Sequence, residues 1–197
     1  MVKYILVALV SLFVFIWSTG GSVEPSAGIS APESPVQFND ISKSAFSQDE
    51  YQITPMAEFE ITARILSKKK YTSGRETDLS TYDLALGWGR MSDIDVINEI
   101  SIRQSGRWYR WQTKNAPIPL REIERSSANM HMIAASDVVA DTLKDLNKHD
   151  VVTIKGYLVN VLAADGWRWK SSLSRDDTGA GACELIWVES IEKEYVY

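Results

Sequence analysis

Residues Asp150 to Lys170 read DVVTIKGYLVNVLAADGWRWK, and the fold class rests on that stretch. Val151 to Leu162 are mostly β-branched or aliphatic. Ala163-Ala164-Asp165-Gly166 then turns the chain before a second alternating run, Trp167 to Lys170, and the whole predicts a β-hairpin. Val152, Ile154 and Leu158 share one face, Gly156 sits among them where a side chain would crowd, and Thr153, Lys155 and Tyr157 take the other. One face of this hairpin is therefore committed to a core.

The neighbours on either side extend the reading. Ser136 to His149 predicts an amphipathic helix, with Ser136 as N-cap, Asp137 and Asp141 near the positive end of the dipole, and Val139, Leu143 and Leu146 on one stripe. Cys183 to Ile191 (CELIWVESI) predicts a closing strand, and Met56 to Leu66 (MAEFEITARIL) a half-buried one with Phe59, Ile61, Ala63 and Ile65 inward. Between them, Ser67 to Thr81 reads as a loop, and Ser80 is placed to cap a short helix carrying Tyr82, Leu84 and Leu86. Asp93 to Ile100 predicts a helical turn and Arg121 to Arg125 a short helix. Two strands flank the turn Gln104-Ser105-Gly106, and Met130 to Ala135 predicts another strand. Strands without α crossovers have to cover both faces and hide their edges. The expected fold is accordingly mainly β, a small antiparallel barrel with one amphipathic helix and short helical insertions.

At the other end of the chain, Met1-Val2-Lys3 precedes the uncharged run Tyr4 to Trp17. A spanning helix needs about 20 apolar residues, so residues 1–20 read as a signal peptide or a short membrane anchor. Either one places the remainder of the chain outside the cytoplasm of a bacterium, at or beyond the inner membrane and facing the periplasm. Residues 21–51 are rich in Pro, Ser, Gly and Ala with little aliphatic content, and read as a flexible linker. Residues 52–197 are then the folded domain. Of 197 residues 45% are hydrophobic, ample for one core. A formal charge of -5 disfavours a nonspecific grip on nucleic acid. A single cysteine, Cys183, excludes an intrachain disulfide.

The helix preceding DVVTIKGYLVNV, then a hairpin and CELIWVESI, resembles the second half of an oligonucleotide/oligosaccharide-binding (OB) fold, whose pattern is three strands, a helix and two strands. The segments LALGWGRMSD, SGRWYRW, SSANMHMI and SRDDTGAGACE are similar to those of uncharacterised bacterial envelope proteins that carry an N-terminal hydrophobic segment. That resemblance implies an envelope location and no assigned activity.

The chemistry on offer is limited. Trp108, Tyr109, Trp111, Tyr157, Trp167 and Trp169 interleave with Arg107, Arg110, Lys155, Arg168 and Lys170, a combination that stacks on rings and pairs with charged groups. The reading this favours is a non-catalytic binding or assembly module that takes a protein partner or an envelope polymer on Trp108, Arg110, Trp111, Tyr157 and Trp167. The competing reading is a thiol hydrolase or transferase with Cys183 as nucleophile and His131 as base, although a small buried cysteine beside a glycine-rich turn explains the same residues. A subunit whose aromatics pack on a neighbouring chain is a third, and the oligomeric state stays open. The loop Ser171 to Gly179 carries hydroxyls, carboxylates and an Arg without EF-hand spacing. No cofactor-binding motif and no dedicated metal-ligand pattern is present.

Overall fold

The computed structural model describes residues 27–174 and 183–195. The hydrophobic run within residues 1–20 lies outside them, as does most of the Ser171 to Gly179 loop. Among the described residues no helix is long and apolar enough to cross a membrane.

The architecture is mainly β with a few short helices, and its axis is one long strand, β3 (Tyr51–Lys70). Its first part pairs with β8 (Val151–Ala163), from Tyr51 opposite Ala163 to Arg64 opposite Val151. Its last part pairs with β4 (Tyr82–Gly87), from Arg64 opposite Gly87 to Lys70 opposite Tyr82. A strand that serves two partners in succession has to bend, and register shifts at Pro55/Ala57 and Ile65/Ser67 mark the bulges where it does. Proline, which cannot donate to a ladder, stands at the first of them.

β4 pairs antiparallel with β7 (Ser127–Ala134), β7 pairs parallel with β10 (Glu184–Glu194), and β10 returns antiparallel to β8. The hydrogen-bonded path thus comes back to β3 and forms a ring of five strands without a free edge. The expectation of a wholly antiparallel arrangement is corrected at β7 and β10: the chain reaches β8 through α3 (Asp137–Asp145) before β10 slots in beside β7. Phe59, Ile61, Leu84, Met130, Ile154 and Val188 fill the interior, and Val139, Leu143 and Leu146 pack against it from the helix and its end. Ser136 caps that helix as expected, its hydroxyl accepting from the amide of Val139 (3.4 Å).

Two expectations fail for physical reasons. Residues 82–87 form β4 and not a helix, because Leu84 and Leu86 point into the ring while Ala85 is covered on the outside. Burial on both faces removes the alternation that would mark a strand. The predicted flexible linker is also corrected: within it, residues 27–50 form a strap on the ring, and Tyr51 already opens β3. β1 (Val36–Phe38) pairs with Glu58 to Glu60, and β2 (Phe46–Gln48) pairs with Tyr51 to Ile53. Upstream, the amides of Gly28, Ser30 and Ala31 donate to Asp93 Oδ1 (3.2 Å) and Ser92 Oγ (3.1 and 3.0 Å). Arg64, 1% exposed, bolts the strap from below: Nε donates to the carbonyl of Ser92 (2.6 Å), Nη1 to that of His149 (3.0 Å), and Nη2 to the Ser30 hydroxyl. Backbone pairing and one buried guanidinium hold the segment where its few aliphatic side chains do not.

Candidate functional site

The outer face of β4 and β7 carries polar side chains at buried positions, and the insertion between these two strands explains why. It contains α1 (Ile94–Asn98), a hairpin of β5 (Ser101–Ser105) and β6 (Trp108–Gln112), and α2 (Leu120–Arg125). Strand alternation turns Ile102, Tyr109 and Trp111 inward onto a second core of Leu66, Ala85, Met91 and Ile123. The Tyr109 hydroxyl lies 2.9 Å from Ser127 Oγ, and burial pushes its pKa up to about 12. Arg103, Trp108 and Arg110 face outward on the same hairpin.

The hairpin tip sits over a buried ion pair. Asp83, fully buried on β4, accepts from Arg107 Nη1 (2.7 Å) and from Asn129 Nδ2 (3.3 Å). His131 Nδ1 is 2.9 Å from Asp83 Oδ1 but off the line of its ring N–H, so the contact is not an aligned hydrogen bond. Arg107 Nη2 also donates to the carbonyl of Ser80 (2.8 Å), and Gln104 Nε2 donates to Asn129 Oδ1 (2.6 Å). Arg107 is held at φ 67 beside Gly106 at φ 58, a left-handed pair suited to a tight hairpin turn. A non-glycine residue there is strained, and the fixed guanidinium offsets the strain.

A strip of rings and cations runs on from the tip. The Arg107 guanidinium stands 4.0 Å from the Tyr71 ring centroid and 5.6 Å from that of Trp169. Trp169 lies 4.9 Å from the His131 ring and 6.1 Å from Trp167. Arg75, ion-paired to Asp165 (2.5 Å), stands 5.0 Å from Trp167 and 5.7 Å from Tyr51. That hydrogen-bonded pairing also holds the Asp165 carboxyl below the usual range.

The five predicted ligand residues do not share one face. Trp108, 37% exposed, and Arg110 are together on the outward side of the hairpin, and Trp111 lies on its inward side. Trp167 belongs to the strip, and Tyr157 lies on β8 under the ammonium of Lys43, 4.6 Å away, where the strap covers it. The signal that brought them together, aromatic residues interleaved with cations, does not say which side of its strand each one takes.

Of the predicted catalytic pair, His131 is buried against Asp83 and Trp169. Cys183 stands beside Asn129, with its thiol 3.9 Å from the carbonyl of Arg107. Burial pushes that thiol up to about 11, with the Glu184 and Asp83 carboxylates adding to the effect and Asn129 opposing it. His131 is not among the groups acting on it. With an ordinary thiol pKa near 9, the folded chain should show alkylation by iodoacetamide at pH 8 about 100-fold slower than the urea-unfolded chain. Equal rates would show an open thiol with an ordinary pKa, and a faster folded chain an activated one. Among the described residues no group of three His, Cys, Asp or Glu side chains is placed to hold a metal ion.

Two residues escape sequence reasoning: Asp83, which falls within the expected helix, and Arg103; Arg107 is read from the sequence as one of the interleaved cations, without its buried partner. Arg103 lies directly across the hairpin from Arg110. A cross-strand alignment of Ile100 to Arg103 with Arg107 to Thr113 is the signal that locates it. No protein-family model, curated protein or solved structure matches the chain.

Proposed function

We propose that the five-stranded ring is a barrel of the OB type and that the chain is a non-catalytic binding or assembly module of the bacterial envelope. Three strands (β3, β4, β7), a helix (α3) and two strands (β8, β10), with β3 bridging β4 and β8, match the OB pattern. In that fold the face of the second and third strands usually receives the ligand. Here the same face, on β4 and β7, lies under the chain's own hairpin, so the binding role passes to the hairpin's outward side. The ligand is a protein partner or an envelope polymer, met by Trp108, Arg110 and Arg103. Tethering to the inner membrane, or release into the periplasm, is the consequence of the hydrophobic run near the N-terminus.

One observation carries this reading. Arg103 and Arg110 oppose each other across the hairpin beside an exposed Trp108, and neither forms an ion pair among the described residues. Like charges directly opposite destabilise a sheet, and an exposed indole gains little from water. A partner presenting carboxylates around an apolar spot removes both costs. The thiol hydrolase or transferase reading needs a thiolate at neutral pH, and burial and carboxylates push Cys183 the other way.

The test immobilises the full chain and exposes it to detergent-solubilised envelopes. A partner or polymer bound by the wild type should be lost about tenfold or more with Trp108→Ala and with Arg110→Ala, and kept by Cys183→Ala. Loss with the cysteine change alone, or indifference to all three, rejects the proposal.

A further inference from the structure

β9 (Arg168–Lys170) turns Trp169 toward the strip and presents Arg168 and Lys170 on its opposite side, away from the hairpin. That side belongs to a ribbon in which β9, the end of β8 and the start of β3 run together. The register there forms two rows of side chains. Gln52, Leu162 and Arg168 make one, and Thr54, Asn160 and Lys170 make the other. Between them is a hollow of about 200 Å³, lined by these six residues and Val161 with no carboxylate among them.

Neither cation is neutralised from within the described residues. The nearby Asp165 carboxylate is already held by Arg75 and by the amide of Trp167. Asn160 is oriented, since its Oδ1 accepts from the amide of Ser171 (3.2 Å), which leaves Nδ2 to donate elsewhere. The hollow therefore offers a guanidinium fork, an ammonium point charge and neutral donors from Asn160, Gln52 and Thr54, in a chain whose overall charge is negative. A guanidinium matches two oxygens of one anion, an ammonium adds a second positive charge, and the neutral donors fill the remaining lone pairs. Leu162, exposed at the centre of its row, adds an apolar wall that a bare ion has no use for.

We infer that this hollow binds a doubly charged oxyanion, the phosphate of a phosphomonoester, with Leu162 against the body that carries it. The site is distinct from the outward face of the hairpin, and its failure would leave that face untouched.

The experiment titrates glucose 6-phosphate, inorganic phosphate, glucuronate and glucose into the full chain in detergent, following the side-chain amide signals of Asn160 and Gln52. Glucose 6-phosphate and phosphate should shift both signals, and glucose should shift neither. Arg168→Gln and Lys170→Gln, both at the surface, should each weaken binding about tenfold without changing the unfolding midpoint. Tighter binding of glucose 6-phosphate assigns Leu162 to the ligand body, and equal binding assigns the site to free phosphate. No shift with any phosphate, glucuronate binding as well as phosphate, glucose shifting the same signals, or insensitivity to both substitutions overturns the proposal.

Discussion

Arg107→Ala should lower the free energy of unfolding by about 3–5 kcal/mol, the cost of leaving a buried carboxylate without its partner. Asp83 is fully buried, so water cannot replace the lost guanidinium, and His131 is not aligned to donate in its place. The same substitution removes the Arg107 stack between Tyr71 and Trp169 and the donation to Ser80 that fastens the hairpin tip. Arg107→Gly is the informative companion. Glycine tolerates the left-handed turn, so this variant should recover about 1 kcal/mol of the loss while still lacking the ion pair. Urea unfolding of the three chains measures both differences. An Arg107→Ala chain within about 1 kcal/mol of wild type would mean that the buried Asp83 does not depend on the Arg107 guanidinium.

Gly156→Ala should cost about 3 kcal/mol for a different reason. A Cβ at this position of β8 would overlap the carbonyl oxygen of Trp187 and lie 3.0 Å from its carbon and 3.2 Å from the amide nitrogen of Glu189. All three atoms are backbone of β10, next to the register shift between Val188 and Ser190, so no side-chain rotation relieves the clash. β10 would have to move, and it is the strand that joins β7 to β8. Gly166→Ala is the control: its φ of 89 is strained for alanine, but the space around it is open, so about 1 kcal/mol is expected. Equal losses at the two positions would refute the close packing of β8 on β10.

These two sites differ in how far the sequence discloses them. Gly156 lies within a continuous β-branched run, where a missing side chain signals crowding, and the structure supplies the strand that crowds it. Ser136 with its helical stripe is legible for a similar reason, since cap and stripe lie within one turn or two of each other. The hairpin at residues 101–112 is likewise read from its own turn and alternation. Asp83, Arg107 and His131 come from three separate elements and meet only because the insertion folds back over β4 and β7. No spacing along the chain encodes that meeting. The strap escapes notice because its first fastenings are to the side chains of Ser92 and Asp93, about 60 positions away, and because β1 and β2 are three-residue strands held by backbone pairing, which leaves no mark in side-chain type.

The docked strap fastens at Gly28, Ser30 and Ala31 to the end of the ring that holds Ser92 and Asp93. β8 starts near that end, at the neighbour of the loop carrying His149, and climbs about 30 Å before it reaches Asn160. The start of the strap and the hollow between Asn160 and Lys170 therefore stand at opposite ends of one strand, most of the ring's height apart.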